Sequence, residues 1–314
     1  MRLVFLIFIQ ALALSAGIQG ALANGAPYVA ASGMGGIKFQ ENKFISIDEE
    51  VLHIGGGEIH VSYTFRSSSP QPITLDIAFP TARTDTEGPE FWGSLPFKLT
   101  ADGKDVTTQR RVVYFRNEQE LSGVLERAKV PQSKIDKNFQ FILSDEAKSA
   151  LKEQGVEFFC EEDGKTCWIG DEAQEVFTWR QVFKPGLTRI EVSYTPRVGT
   201  THAIMYRGGD DEISPKEKKD FRDKFCIDKP VERALQKEDY WDGYTVEYIW
   251  ATARYWNGPI KNFHLIIEKD KAHDIVSYCP TVGQKTSPTR FEWHTTDFVP
   301  KGKLTVLFVP GGSD

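Results

Sequence analysis

Alternation of apolar and polar residues is the dominant pattern along this chain. Between Glu58 and Phe65 every second residue is apolar, and the same alternation resumes from Ile73 to Phe79 after a turn rich in serine and proline. A period of two places successive side chains on opposite faces of a strand, so that one face is buried. The pattern predicts an antiparallel pair of strands, and similar stretches recur as far as the C-terminus.

Two stretches depart from this alternation and predict helices. Asn117, with Glu120 three residues later, is the signature of a helix start. Ser144 opens a second helix, which Gly155 would end. Because strand patterns resume afterwards, we expect a small helical insertion at about 116–155 within a β domain.

The strongest helix signal in the chain begins at Ser214. A proline follows directly, and Glu217 stands three residues after the serine, which together predict a capping box. Aromatic strand patterns then return and continue to the end. The sequence therefore predicts a mainly β fold with two β-sandwich-like units, at 24–200 and 241–314, joined by a helical connector at 201–240.

The first 23 residues carry the three parts of a secretory signal peptide. Arg2 supplies a positive charge, an apolar run extends from Leu3 to Leu14, and Ala21 and Ala23 are small residues at positions −3 and −1. A transmembrane anchor is the alternative, but this run is much shorter than the roughly 20 residues that a span requires. We expect cleavage after Ala23, no membrane anchor thereafter, and a soluble periplasmic or secreted protein.

The four cysteines of the chain predict two disulfides, because an even count in an exported protein usually pairs. Three pairings are open in principle. An Asp-Gly turn signal at 163–164 places two of the cysteines directly opposite each other in a hairpin, within disulfide distance. The predicted bridges are Cys160–Cys167 and Cys226–Cys279.

Charge and motifs exclude several kinds of function. The formal net charge is −6, whereas a nucleic-acid partner requires a basic surface. The motifs of zinc proteases, serine hydrolases, phosphate-binding loops and calcium loops do not occur. We therefore expect no metal and no cofactor.

Two groups of residues are candidate metal ligands and would be the alternative to this expectation. His53 and His60 are seven residues apart, which would place them on opposite faces of a continuous strand, although a triple glycine lies between them. Asp210, Asp211 and Glu212 could supply oxygen ligands to calcium. The simpler interpretation is solvated histidines and an acidic loop in front of a helix.

An aromatic cluster is the most suggestive feature of the C-terminal part. Exposed aromatic rings can stack on sugars or anchor a protein partner. The alternative is a sandwich core, since alternate residues of a predicted strand at 244–256 share one face. The candidate binding-surface residues are Tyr240, Trp241, Tyr255 and Trp256.

Several motifs together resemble the bacterial domain-of-unknown-function family 4424. The resemblance implies an exported bacterial protein of undefined role, and it brings no catalytic residues with it. The motifs that carry it, in order, are Gly36-Ile37 through Ile45, Asp48-Glu49 and Val51; Val61–Phe65 running to Ala78–Pro80; Trp179 with Phe183, then Val192–Pro196 and Gly199; and Thr252 through Trp256–Ile260 to Phe263, Cys279 and Phe291-Glu292.

These observations favour a non-catalytic binding or envelope-structural protein, with a protein or a carbohydrate as its ligand. The alternative is an exported hydrolase whose site lies in a cleft between the two β units. Two carboxylates about 5–9 Å apart in such a cleft would indicate the hydrolase. An exposed aromatic strip without them would indicate binding.

Overall fold

Strands make up most of the structure, a computed structural model that describes residues 25–30, 37–85, 96–116, 119–130, 141–169, 172–202, 214–237 and 242–311. This confirms the predicted mainly β fold class. The strands up to residue 120 are β1 (Ala26–Ala30), β2 (Ile37–Phe39), β3 (Ile45–Ile54), β4 (Ile59–Ser67), β5 (Ile73–Asp85), β6 (Phe97–Ala101), β7 (Lys104–Asp105), β8 (Gln109–Arg116) and β9 (Gln119–Glu120). The remaining strands are β10 (Phe141–Ile142), β11 (Phe159–Cys160), β12 (Thr166–Trp168), β13 (Glu172–Phe183), β14 (Gly186–Tyr194), β15 (Gly199–His202), β16 (Asp242–Tyr248), β17 (Ile260–Glu268), β18 (Ile275–Cys279), β19 (Gln284–Lys285), β20 (Arg290–Phe298) and β21 (Leu304–Val309).

One sheet of eight strands forms a continuous layer. Its order is β19-β20-β17-β3-β4-β14-β6-β7. Its neighbouring strands are antiparallel except that β17 runs parallel to β3, with Leu265 level with Leu52. Strands from the first and last parts of the chain therefore lie side by side in this layer.

Two smaller sheets cover the inner face of the long sheet. In the six-stranded sheet, β2-β1-β5-β13-β8-β9, Phe79 packs against Phe97 and Tyr194 of the long sheet. In the four-stranded sheet, β15-β16-β21-β18, Tyr278 packs against Phe291. Apolar side chains of all three sheets form one buried cluster.

The predicted boundary between residues 24–200 and 241–314 does not divide the sheets. β17 and β20 extend the sheet that β3 and β4 begin, and β15 pairs with β16. The reason is physical: alternation identifies a strand and its buried face, but it does not specify which strand pairs with it.

The predicted insertion contains helices α1 (Ser122–Arg127) and α2 (Asp145–Glu153). Helix α2 begins as predicted, with the Ser144 side chain accepting from the Ala147 amide, and Gly155 follows its end. The start predicted at Asn117 is wrong for α1, because Glu120 lies in β9 and pairs with β8; Asn117 itself lies outside the described residues. Both helices pack on the small sheet β10-β12-β11, whose hairpin carries the Cys160–Cys167 disulfide.

The predicted connector contains helices α3 (Pro215–Phe225) and α4 (Lys229–Leu235). The capping box between Ser214 and Glu217 is present. Phe225 and Leu235 are buried against β18 and β21, and the Cys226–Cys279 disulfide joins the end of α3 to the end of β18.

The strand predicted at 244–256 is shorter than expected. β16 ends at Tyr248, and a 3-10 helix follows over Ala251–Tyr255. The aromatic residues after Tyr248 do not continue an alternating face, because the chain turns there instead of extending.

Two buried tyrosines connect the long sheet to the four-stranded sheet. The Tyr63 and Tyr248 hydroxyls lie 3.0 Å apart. Burial raises the pKa of both phenols well above the usual value, and it also raises the pKa of Tyr194.

We predict that these three tyrosines stay neutral until the protein unfolds in alkali. An unfolded tyrosine ionises near pH 10, whereas the pKa values of these three are higher in the folded protein. The free energy of unfolding therefore keeps its full value below pH 10 and falls as the pH rises further. Absorbance at 295 nm should therefore show them ionising together with the loss of circular dichroism. A Tyr63→Phe variant should lose one tyrosinate equivalent from that step, whereas ionisation of all tyrosines in the folded protein would contradict the prediction.

Candidate functional site

The predicted aromatic binding surface is only partly described. Tyr240 and Trp241 lie outside the described residues. Trp256 is 4% exposed and donates from its indole nitrogen to the Gly25 carbonyl, so it belongs to the core and not to a binding surface. Tyr255 is half-buried and stacks on Phe39 at a ring distance of 5.3 Å. The structure therefore does not assemble these four residues into one described surface.

The acidic loop at 210–212, the alternative calcium site, also lies outside the described residues. The histidines, by contrast, are described in detail. His53 and His60 are directly opposite each other across the hairpin of β3 and β4, so they share a face. The chain reverses at the glycines between them, so the opposite faces of a continuous strand do not apply.

Four histidines lie on the face of the long sheet that points away from the core. His264 on β17 is paired with His294 on β20, and His53 and His60 occupy β3 and β4. Their strand neighbours Leu52, Leu265 and Ile267 are buried on the other face. Sequence reasoning missed this grouping because the histidines come from distant parts of the chain.

Three of the side chains on this face converge. His264 Nε2 lies 3.0 Å from Glu292 Oε2, and His294 Nε2 lies 3.7 Å from the same oxygen. The two imidazole rings stack with their centroids 3.6 Å apart. One ligand atom from each side chain falls within 4.8 Å of the others, an arrangement that can hold a metal ion.

Strand geometry explains why these three residues meet. Glu292 and His294 are two residues apart on β20, so they point to the same side of the sheet. His264 is directly opposite His294, at the spacing where cross-strand side chains touch. A Glu-x-His pair on one strand is visible in the sequence, but the partner histidine becomes apparent only from the strand pairing.

Hydrogen bonds hold the Glu292 carboxylate in place. The Thr286 hydroxyl donates to Oε1 at 3.0 Å, which leaves Oε2 directed at His264 and His294. The hydrogen bonds from Thr286 and His264 lower the pKa of Glu292. The carboxylate is therefore ionised at neutral pH.

An open groove of about 460 Å³ lies beside this cluster. Six of the seven residues that line it have polar side chains, and the backbone beneath them is the paired core of β3, β17 and β20. Residues that line it are Glu49, Asn262, Phe263, His264, His294, Thr295 and Thr296.

A second group on the same face differs in kind. His53 Nε2 lies 3.0 Å from Glu268 Oε2, and Arg290 Nη2 lies 3.1 Å from the same oxygen. The hydrogen bond from Arg290 lowers the pKa of Glu268. Because the Arg290 guanidinium directly contacts this carboxylate, the group is an ion pair and not a ligand cluster. The same guanidinium is farther from Glu292, with Nη1 4.0 Å from Oε1.

Fold and site together define a disulfide-containing β-sandwich protein with a polar groove on one sheet. The chain belongs to the family described as domain of unknown function DUF4424, whose model matches residues 27–307. This confirms the resemblance found in the sequence.

No curated protein matches the chain. One matching solved structure is that of a "putative nutrient binding protein" from Legionella pneumophila, with 14% identity and a TM-score of 0.45, covering 92% of this chain and 70% of that one. At this identity and score, the similarity carries no information about what the present chain binds.

The two disulfides fit a protein of an oxidising compartment. No helix within the described residues is long and apolar enough to cross a membrane. The predicted signal peptide, residues 1–23, lies outside the described residues.

Proposed function

We propose that this chain is an exported, non-catalytic binding protein whose ligand occupies the groove over β17 and β20. The observation that carries the proposal is the convergence of polar side chains on a rigid, paired sheet. Asn262, His264 and Thr296 offer donors and acceptors from neighbouring positions of two strands. Ligand sites are concave surfaces in which a few placed polar groups fix the orientation of the ligand, and this groove has such groups with more polar walls than is usual.

The composition of the groove supports binding over hydrolysis. Among the described residues that line it there is a single carboxylate, Glu49, and no serine or cysteine. The neighbouring Glu292 has a lowered pKa, whereas a carboxyl that acts as a general acid needs a raised one.

The test is a thermal-shift screen of the purified protein with sugars, dipeptides and dicarboxylic acids. We expect at least one compound to raise the melting temperature, since a ligand at 100 times its Kd stabilises a protein by about 2.7 kcal/mol. A Thr296→Trp variant, which fills the groove at an exposed position, should abolish that shift.

Lys98→Trp is the matched control, because Lys98 is exposed on β6 of the same sheet, away from the groove. It should retain the shift. If no compound stabilises the protein, or if Thr296→Trp leaves the shift unchanged, the groove is not the binding site. Turnover of ester, glycoside or phosphate substrates that is lost in Thr296→Trp would instead support the hydrolase alternative.

A further inference from the structure

We propose that His264, Glu292 and His294 bind one divalent ion of the late first-row transition metals, the class that includes Zn²⁺ and Cu²⁺. The inference rests on the proposed function, because it names a ligand class for the same groove. It reverses the expectation of a metal-free protein, which was based on motifs along the sequence and not on strand pairing.

The spacing of the ligand atoms fits such an ion. Zinc bonds to nitrogen and oxygen are about 2.0–2.1 Å long, so two ligands of a tetrahedral ion are about 3.3–3.4 Å apart. Glu292 Oε2 is 3.0 Å from His264 Nε2 and 3.7 Å from His294 Nε2, which brackets that value. The ligand atoms of all three side chains lie within 4.8 Å of one another, so side-chain rotations without any change in strand pairing would seat the ion.

The donor atoms select the class of metal. Imidazole nitrogens suit zinc, copper and nickel, whereas calcium and magnesium prefer sites made of oxygen atoms alone. Two imidazoles and one carboxylate also match three-ligand zinc sites, in which the fourth position stays open. We therefore infer that Cu²⁺ binds more tightly than Zn²⁺, following the general order of affinities.

Two features of the surroundings support the site. Thr286 donates to Glu292 Oε1, and hydrogen bonds of this kind to a ligating carboxylate orient it toward the metal. The His294 side chain is 67% exposed and borders the groove, so the open position faces solvent. An ion held there can exchange or contact a second ligand, unlike an ion closed inside a structural site.

The experiment is equilibrium dialysis of the purified protein against ZnCl₂ and, separately, CuSO₄, with the bound metal quantified. We expect one equivalent of metal in the parent protein. His264→Ala and His294→Ala should each weaken binding more than about 100-fold, because even loss of a hydrogen bond to a ligand costs about 10–100-fold. Thr286→Val should weaken it about 10-fold.

His60→Ala is the matched control, since His60 lies on the same sheet face outside the cluster. It should bind metal like the parent. Melting temperatures are compared in the presence of a chelator, so that bound metal does not contribute. If His264→Ala and His294→Ala melt at the same temperature as the parent, both variants are folded. Electron paramagnetic resonance of the Cu²⁺ complex of the parent should show coupling to two imidazole nitrogens. In His264→Ala or in His294→Ala it should show coupling to one.

Absence of metal binding in the parent, or equal binding by the parent and His264→Ala, would overturn the inference. These outcomes are distinct from failure of the proposed function. If the parent binds a small organic ligand, Thr296→Trp does not bind it, and the parent binds no metal, the binding function stands and the metal site does not. If metal binds but the groove hydrolyses a substrate, the metal site stands and the non-catalytic function does not.

Discussion

Replacing Glu175 with glutamine should lower the free energy of unfolding by about 3–5 kcal/mol, the cost expected when one partner of a buried ion pair is removed. Glu175 Oε2 lies 2.9 Å from Arg197 Nε, and both side chains are almost fully buried, at 4% and 3% exposure. The partly exposed Arg110 contacts the other carboxylate oxygen of Glu175. Glutamine keeps the volume but removes the buried negative charge that Arg197 and Arg110 both contact.

The position of Glu175 explains why the carboxylate is so strongly buried. β13 is covered on both faces from Ala173 to Trp179. Its register with β5 shifts between Gln174 and Val176, a bulge that leaves Glu175 outside the pairing with β5. The extra residue of this bulge is on β5, where two residues lie opposite Glu175, and the Glu175 side chain carries the charge that Arg110 and Arg197 share.

Chemical denaturation of Glu175→Gln and of Asp76→Asn would test this prediction. Asp76 pairs with Arg180 on the same sheet, but both side chains are exposed, so removing that pair should change the midpoint little. The double variant Glu175→Leu with Arg197→Met should recover most of the loss, because an apolar replacement removes both charges. Equal midpoints for Glu175→Gln and Asp76→Asn would contradict the prediction.

Local features of this fold were predictable because they depend on neighbouring residues. The helix starts at Ser144 and Ser214 were predictable because a serine side chain can accept a hydrogen bond from the backbone amide three residues later. The structure contains both of these caps. The Cys160–Cys167 bridge follows from a turn centred on an Asp-Gly pair, and the two cysteines are paired across β11 and β12.

Long-range pairing was not predictable from the same patterns. The alternation of β3 and of β17 reveals which residues are buried, but nothing in either strand specifies a parallel partner from the other end of the chain. The predicted separation into two β units did not anticipate this shared sheet. The candidate site was missed for the same reason, since His264 and Glu292 meet only when β17 and β20 pair.

Removing the Cys226–Cys279 disulfide should destabilise the protein more than removing Cys160–Cys167. The Cys226–Cys279 bond joins residues separated by 53 positions in the sequence, whereas the Cys160–Cys167 bond joins residues separated by 7. Loop-closure entropy in the unfolded chain makes these worth about 4 and about 2 kcal/mol. The double variant Cys226→Ala with Cys279→Ala should therefore have the lower unfolding midpoint.

The choice of alanine isolates the effect of the cross-link. Cys226 directly follows α3 and has a left-handed conformation with φ of 50°. Alanine retains the Cβ atom, so the backbone strain at this residue is similar with and without the disulfide. Helix α3 also remains docked through the buried Phe225, whose carbonyl accepts from the Ser277 hydroxyl at 2.8 Å. The change in midpoint should then report mainly the restricted freedom of the unfolded chain.

Denaturant unfolding of both double variants, with non-reducing peptide mapping of the parent, provides the measurement. A peptide that links Cys160 or Cys167 to Cys226 or Cys279 would refute the pairing. Equal midpoints would refute the order of stabilities. Selective proteolysis within α3 of the Cys226→Ala, Cys279→Ala protein would show instead that the disulfide holds the helix on the sheet in the native state, beyond its effect on the unfolded chain.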